Sequence, residues 1–530
     1  MKRTFKYIQL LVILVIVNAC TEDFAKINTD PHGISQGSLT QQNNHIGARF
    51  SPMFSNVIRV EPAWNYQLQQ NLNADVFSGY MTAPTPFAGN INNQTYALVN
   101  GWNGFIWNDA YDANNGNGVM PYAREIKEQV ELSNSDGGEK FVFLANVIKV
   151  MAMHRVSDVF GPIRYSKFND YDTTGEYDSQ GDAYKAFFKD LDEAIAGLKQ
   201  YEGDVQFVPF DQSNLAGDVA SWRAFANSIR LRLAIRVSKV DGALAKTEGE
   251  KALASDAGFI ANTMKVNMGG FSHPLATISG TWGDICMSAE MEVILKGFND
   301  GRISKFFKAP ADATLGDYKG IRQGIDINAK SQYGSHSLLG DVVMTATDKV
   351  WMTTAEIYFL KAEAALRGWA GAGNAKTNYE EGVKASFAQH GIAGSSTYLA
   401  DATSTPNDFV DAINATNNIA YSTDVKVAYN QSGTNEEQLE QIITQKWIAM
   451  FPDGQEAWSE FRRTGYPKVF PVVINNSGGD IDTNIQIRRI NFVDSEKNTN
   501  SENVQKAVSF LKGPDNGGTR LWWDTGSSNF

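Results

Sequence analysis

The stretch VASWRAFANSIRLRLAIRVSKV (Val219 to Val240) places Trp222, Ala226, Ile229, Leu233 and Val237 three or four residues apart. That spacing gathers side chains on one face of an α-helix. Arg223, Asn227, Arg230 and Lys239 lie largely off the stripe. The same period recurs along the chain. Tyr184, Phe187, Phe188, Leu191, Ile195 and Leu198 form a second stripe, with Asp182 placed to cap its helix. Phe141, Leu144, Ile148 and Met151 predict a helix near 139–157. Thr353 with Glu356 reads as a capping box opening AEIYFLKAEAALRGW, and Thr434 with Glu437 opens a helix striped by Leu439, Ile442, Ile443, Trp447 and Met450.

Gly371 and Gly373 loosen the chain before a partner helix, NAKTNYEEGVKASFAQHG. Helices that pair in sequence, with small residues such as Ala362, Ala364 and Ala365 between them, predict tetratricopeptide-like hairpins, although no clean repeat period is legible. Short aliphatic runs such as FPVVI (Phe470 to Ile474) are possible strands, too few for an α/β sheet. The fold class is therefore mainly α, a scaffold of helical hairpins. Irregular stretches at about 60–120, 256–285, 308–345 and 394–435 separate the helices. Loops of that length are uncommon in a compact domain unless they carry function. These carry aromatics and are not low-complexity, so they are expected to be ordered.

The N-terminus has its own logic. Lys2, Arg3 and Lys6 precede an apolar run from Ile8 to Val17, too short to span a bilayer and typical of a secretory signal. Val17, Asn18, Ala19 and Cys20 resemble a bacterial lipobox, which predicts removal of residues 1–19 and lipidation of Cys20. The acidic pair Glu22 and Asp23 resembles a surface-export tag of outer-membrane lipoproteins. The mature domain then runs over 20–530 as one unit. Losing three bases takes the formal net charge from −12 to −15, which argues against nucleic acid as a partner. Cys286 is the remaining cysteine, expected to be a buried inert thiol.

Enzyme signatures are missing. The six histidines show no HExxH or other metal pairing, and there is no G-x-S-x-G elbow and no phosphate-cradling glycine loop. Acidic clusters such as Asp190, Asp192 and Glu193 read as solvent-facing or ion-paired groups, and Glu363 and Glu456 as scaffold salt bridges. NDYDTTGEYDSQGD (Asn169 to Asp182) lacks EF-hand spacing. No cofactor, metal or catalytic residue is expected.

The stretch 62–118 instead interleaves Trp64, Tyr66, Tyr80, Phe87, Tyr96, Trp102 and Trp107 with Asn65, Asn90, Asn92, Asn93, Asn100 and Asn103. Flat apolar rings stack on sugar C–H faces while amides and carboxylates bond the hydroxyls. PTPFAGNINNQTY (Pro84 to Tyr96) is too rich in Pro, Gly and Asn for a helix. Phe87, Asn92, Asn93 and Tyr96 are therefore the first-choice ligand contacts, with Trp64 and Tyr80 behind them. In ISGTWGDICMS, Gly280 and Gly283 flank Trp282, and Asp284 follows, a second candidate platform. Core filling competes for the same aromatics: Trp102, Phe105 and Trp107 also suit a helix beginning near Asn100, and Trp222, Trp447 and Trp458 read as core.

INTDPHG, MHRVSDVFGPIRYS, WRAFANSIRLRLAIRVS and MTTAEIYFLKAEAALRGW resemble SusD/RagB-type nutrient-binding lipoproteins. So do EEQLEQIITQKWIAMFPDGQEAWSEFRRTGYPKV (Glu436 to Val469), RRINFVDSEKNTNSENVQKA and TRLWWD. The resemblance implies a tetratricopeptide-like scaffold with a loop-rich binding region. It further implies a cell-surface, outer-membrane location and a SusC-type TonB-dependent barrel that receives oligosaccharides, or in some branches peptides, without bond chemistry. Its motifs mark the scaffold and transfer no ligand. An all-helical glycoside hydrolase is the rival reading of the same composition.

Overall fold

The computed structural model describes residues 43–112, 118–133, 137–169 and 174–530. Cys20 and the signal segment lie outside the described residues. Helix α1 is Phe50–Val57. Helix α2, Ala63–Tyr66, runs straight into a π-helix, Gln67–Asp75. Then come α3 (Asn100–Asn103), α4 (Phe105–Tyr111), α5 (Val119–Ser133) and α6 (Glu139–Phe160). The scaffold continues with α7 (Gln180–Leu198), α8 (Val219–Arg236), α9 (Gly242–Leu253) and α10 (Ala289–Gly297). It closes with α11 (Thr354–Leu366), α12 (Ala375–Gln389), α13 (Asn435–Ala449) and α14 (Gly454–Thr464).

Successive helices pack as hairpins, α6 on α7, α8 on α9 and α11 on α12, while α7, α11 and α13 carry the contacts from one hairpin to the next. Helical hairpins of this kind bury a face only by stacking on neighbours. Gly371 and Gly373, both at positive φ, make the tight turn between α11 and α12. Among the described residues strands are short and antiparallel: β1 (Met81–Thr82) pairs β3 (Cys286–Met287), and β2 (Met264–Asn267) pairs β4 (Asp348–Met352). Phe470 to Ile474 is irregular, so that run supplies no strand. No described helix is long and apolar enough to cross a membrane.

Local signals are mostly realised. Thr434 and Glu437 form a complete capping box. At α11 only half of one forms: Thr353 accepts from the Glu356 amide, but the Glu356 carboxylate turns inward to Arg232. At α7 the cap is Ser179, not Asp182, which instead sits in the first turn where a carboxylate complements the helix dipole. The largest difference concerns α8. From Trp222 onward it is buried on every side, Arg223, Asn227 and Arg230 included. Its off-stripe residues are not a solvated face, because α7, α9 and α11 surround it.

That enclosure brings charge inside. Arg232 grips Glu356 at 2.6 and 2.8 Å, Arg236 reaches Glu460 at 2.6 Å and also Glu456, and Arg463 holds Glu363 and Glu460 at 2.6 Å. Lys446 lies 3.5–3.6 Å from Glu356, Glu456 and Glu460. Burial alone would raise the Glu456 carboxyl; Arg236 and Arg232 overcome it and hold the group below the usual carboxylate range. Trp222, Trp447 and Trp458 are core, and Cys286 is buried with its thiol pushed up by burial.

Candidate ligand-binding site

The stretch after residue 60 begins not as a loop but as α2 and the π-helix. Its period is hidden because the buried side chains are amides. Gln69 donates to Asp109 at 2.9 Å and accepts the Arg59 amide at 2.9 Å. Gln70, Tyr66 and Asn71 donate to Asp75 at 2.8, 3.1 and 3.2 Å, and Arg155 ties Gln70 to Asp453. Burial pushes the Asp75 carboxyl up to about 6 against those donors. This hydrogen-bonded rod carries Trp64 and Gln67 at its outer end.

Asp284 is where the surface segments meet. Thr85 donates to its Oδ1 at 2.8 Å, Lys330 Nζ to the same oxygen at 2.7 Å, and Gln67 Nε2 to Oδ2 at 3.5 Å. Lys330 also donates to the Trp282 carbonyl, so one ammonium pins both ends of the turn. Gly283, at φ 64°, allows that turn to reverse between them. Trp282 is left 37 % exposed and Trp64 48 % exposed. Half-buried Phe87 meets Trp102 edge-on with centroids 5.9 Å apart, and Trp64 meets Phe105 edge-on at 5.6 Å. The result is a face of partly exposed rings around a carboxylate held by three donors. Such a face stacks on flat, C–H-rich rings and accepts from hydroxyls. Among the described residues no three His, Cys, Asp or Glu side chains converge as a metal site.

The profile of the SusD and RagB outer membrane lipoproteins matches residues 26–524. The chain belongs to that family. Solved SusD homologues share the whole fold. One, a chitin-binding SusD homologue from Flavobacterium johnsoniae, is 48 % identical with a TM-score of 0.88, covering 92 % of this chain and all of its own. Another from Bacteroides vulgatus is 37 % identical with a TM-score of 0.85, covering 92 % of this chain and 99 % of its own. A third from Bacteroides uniformis is 33 % identical with a TM-score of 0.83, covering 90 % and 99 % respectively. No curated protein matches the chain.

In this SusD-family chain the sequence-predicted contacts separate into two groups. Trp64, Phe87, Trp282 and Asp284 keep exposed or half-buried side chains, and Asp284 bonds Gln67 and Thr85, which lie close in sequence to Trp64 and Phe87. Asn92, Asn93, Tyr96 and Tyr80 are instead buried, Tyr96 at the wall of a cavity of about 450 Å³ that Asn100 and Asn476 also line. Asn92 donates to the Phe87 carbonyl at 2.7 Å and accepts the Gln94 amide at 2.9 Å. Asn93 donates to Asn103 at 2.9 Å and to Asn73 of the π-helix, and accepts the Val99 amide at 2.8 Å. A turn-rich segment has few ladder partners for its backbone, and short amide side chains replace them. Their density marks the loop's frame. Tyr96 adopts φ 63° inside that frame, and Tyr80 packs 4.9 Å from Trp447 while donating to its carbonyl. Trp102 and Trp107 do sit on the short helices α3 and α4, as the core-filling reading expects. Gln67, Thr85 and Lys330 belong to the site but carry no sequence signal; only their convergence on Asp284 reveals them.

Proposed function

We propose that this protein is a lipoprotein, anchored through Cys20 after loss of residues 1–19 and exposed on the cell surface. It captures oligosaccharides and passes them uncleaved to a SusC-type TonB-dependent barrel. The observation that carries the reading is Trp282, exposed on a turn whose neighbouring carboxylate is held by Lys330, Thr85 and Gln67. Trp64, Phe87, Trp282 and Asp284 would contact the sugar, while Asn92 and Asn93 position the segment that bears Phe87. Lys330, Thr85 and Gln67 all donate to Asp284, which orients it as an acceptor for hydroxyls. Asp190 and Asp192, the acidic cluster a hydrolase reading would use, are engaged by Lys149 and by Arg230 and Lys251. The 48 % identical homologue that binds chitin makes N-acetylglucosamine oligomers the first ligands to test.

Calorimetric titration with chitotriose through chitohexaose tests this directly. Binding without shortened products, weakened about tenfold or more by Trp282→Ala, is the expected result. Unaltered affinity in that variant sinks the site, and released sugar turns the reading to a hydrolase. For the anchor, labelled fatty acid should enter the wild type and not Cys20→Ser.

A further inference from the structure

A second cavity lies away from Trp282. It has a volume of about 770 Å³ and lies between the outer face of α1, the segment 211–213 ahead of α8, and the turn that follows β2. Ligand sites span roughly 300–1,000 Å³, so it has the size of one. Among the described residues, none of those gathered around Asp284 lines it.

Of the charges at this cavity, Lys349, Arg59 and Asp211 are committed elsewhere, while Glu61 lines it from an exposed position. Lys349 is buried and donates to the Phe54 and Ile58 carbonyls, at 2.9 Å for the first. Arg59 donates to the Glu61 carbonyl at 3.0 Å and to Asn56 Oδ1, with Asp109 3.6 Å away. Asp211 accepts the Ser213 and Gly217 amides and the Trp222 indole at 2.6–2.8 Å. Hydroxyls and amides remain: Ser51, Ser55, Gln212 and Asn56 line the wall. Asn56 is only 4 % exposed, and its Nδ2 has no hydrogen-bond partner among the described residues. That atom is sealed from solvent, so the polar groups the cavity offers a guest include Ser51, Ser55 and Gln212. At the rim, Gly269 and Gly270, both at positive φ, turn the chain so that the Phe271 ring stands 52 % exposed.

We infer that this cavity is a second saccharide site, taking a short oligosaccharide whose ring stacks on Phe271 and whose hydroxyls exchange hydrogen bonds with Ser51, Ser55 and Gln212 on the wall. A polyhydroxy guest follows from the hydroxyls, amides and single flat ring, and the exposed Glu61 carboxylate disfavours an anionic one. Two sites on one receptor would hold a long glycan more tightly than either alone.

Hydrogen-exchange mass spectrometry on the expressed protein, with chitotriose and separately cellotriose as probes, tests the assignment. At least one probe should protect peptides covering 51–61 and 267–273. Protection should persist in Trp282→Ala, lose about tenfold in apparent affinity in Phe271→Ala, and vanish in Ser51→Trp, which fills the cavity from an exposed position. Protection confined to 278–284, or absent with both probes, overturns the second site. So does protection at 51–61 that ignores both cavity variants. Loss of the 278–284 signal alone would instead count against the Trp282 face and leave this site standing.

Discussion

Between α8, α11, α13 and α14 the interior is held by clustered ion pairs, whereas beneath the candidate ligand face it is held mainly by amides that bond to one another and to the buried carboxylates Asp75 and Asp109. Arg236 and Glu460 are 224 residues apart in sequence, and Arg463 and Glu363 are 100 apart. These pairs lock distant helices to one another. Around the π-helix, Asn93 reaches Asn73 and Asn103, 20 and 10 residues away, and Asn92 reaches Phe87 five residues back. Those bonds shape one stretch of backbone. A buried ion pair is demanding because either partner left alone is an unsolvated charge. An amide left alone is a smaller penalty and can be re-satisfied by a neighbour or water. The scaffold is thus specified by interactions that tolerate little change, and the ligand face by ones that allow its loops to vary.

The sharpest way to break this contrast is to strand charge in the scaffold. Arg236→Met removes the cation that reaches Glu456, Glu460 and Asp158 together and should lower unfolding free energy by about 3–5 kcal/mol. Urea denaturation measures it; a loss under about 1 kcal/mol would mean the network is not what holds the helices. Next in size is Asn93→Ala, expected to remove about 1–3 kcal/mol of local stability by unpairing Asn73, Asn103 and the Val99 amide. Exchange rates over 87–103 should rise while α13 and α14 stay protected. If instead the whole molecule loosened, the loop would not be an independent unit.

Trp282→Ala should act on binding alone, with about tenfold weaker affinity, equal to about 1.4 kcal/mol, and an unchanged denaturation midpoint. A shifted midpoint would make Trp282 a packing residue. The smallest effect is in pH dependence, where the two regions carry opposite signs. Glu456 is held below its unfolded value, so its contribution is present above about pH 4 and fades as pH falls further. Asp75 is raised to about 6, so its contribution is present below its unfolded value near 3.8 and is lost as pH rises through 6. Exchange in Gln67–Asp75 should therefore quicken from pH 4.5 to 7 beyond the intrinsic rate, and Asp75→Asn should flatten that slope. Identical slopes in both proteins would remove Asp75 as the cause.

Much of the scaffold could be read from stripes and caps, because both involve residues within four positions of each other. Phe187, Leu191 and Ile195 announce α7 wherever it packs. The π-helix was not legible: Gln69, Gln70, Asn71 and Asn73 have no apolar period, and the sequence does not say that Asp109, Arg155 and Asp453 will come to meet them. At the candidate site the glycine-flanked Trp282 and Asp284 stand out in sequence, while Lys330, 46 residues beyond Asp284, does not. Asn92 and Asn93 bond within the loop, which composition does not foretell: the same amide serves a ligand or its own backbone.

By itself the sequence determined that helices form, where most begin, and which rings and amides the connecting segments carry. Tertiary structure alone decided which polar groups lie inside and which rings stay half out. Helical periodicity is set by near neighbours along the chain. The burial of a charge or an amide is permitted only when a partner arrives from a distant segment in bonding geometry.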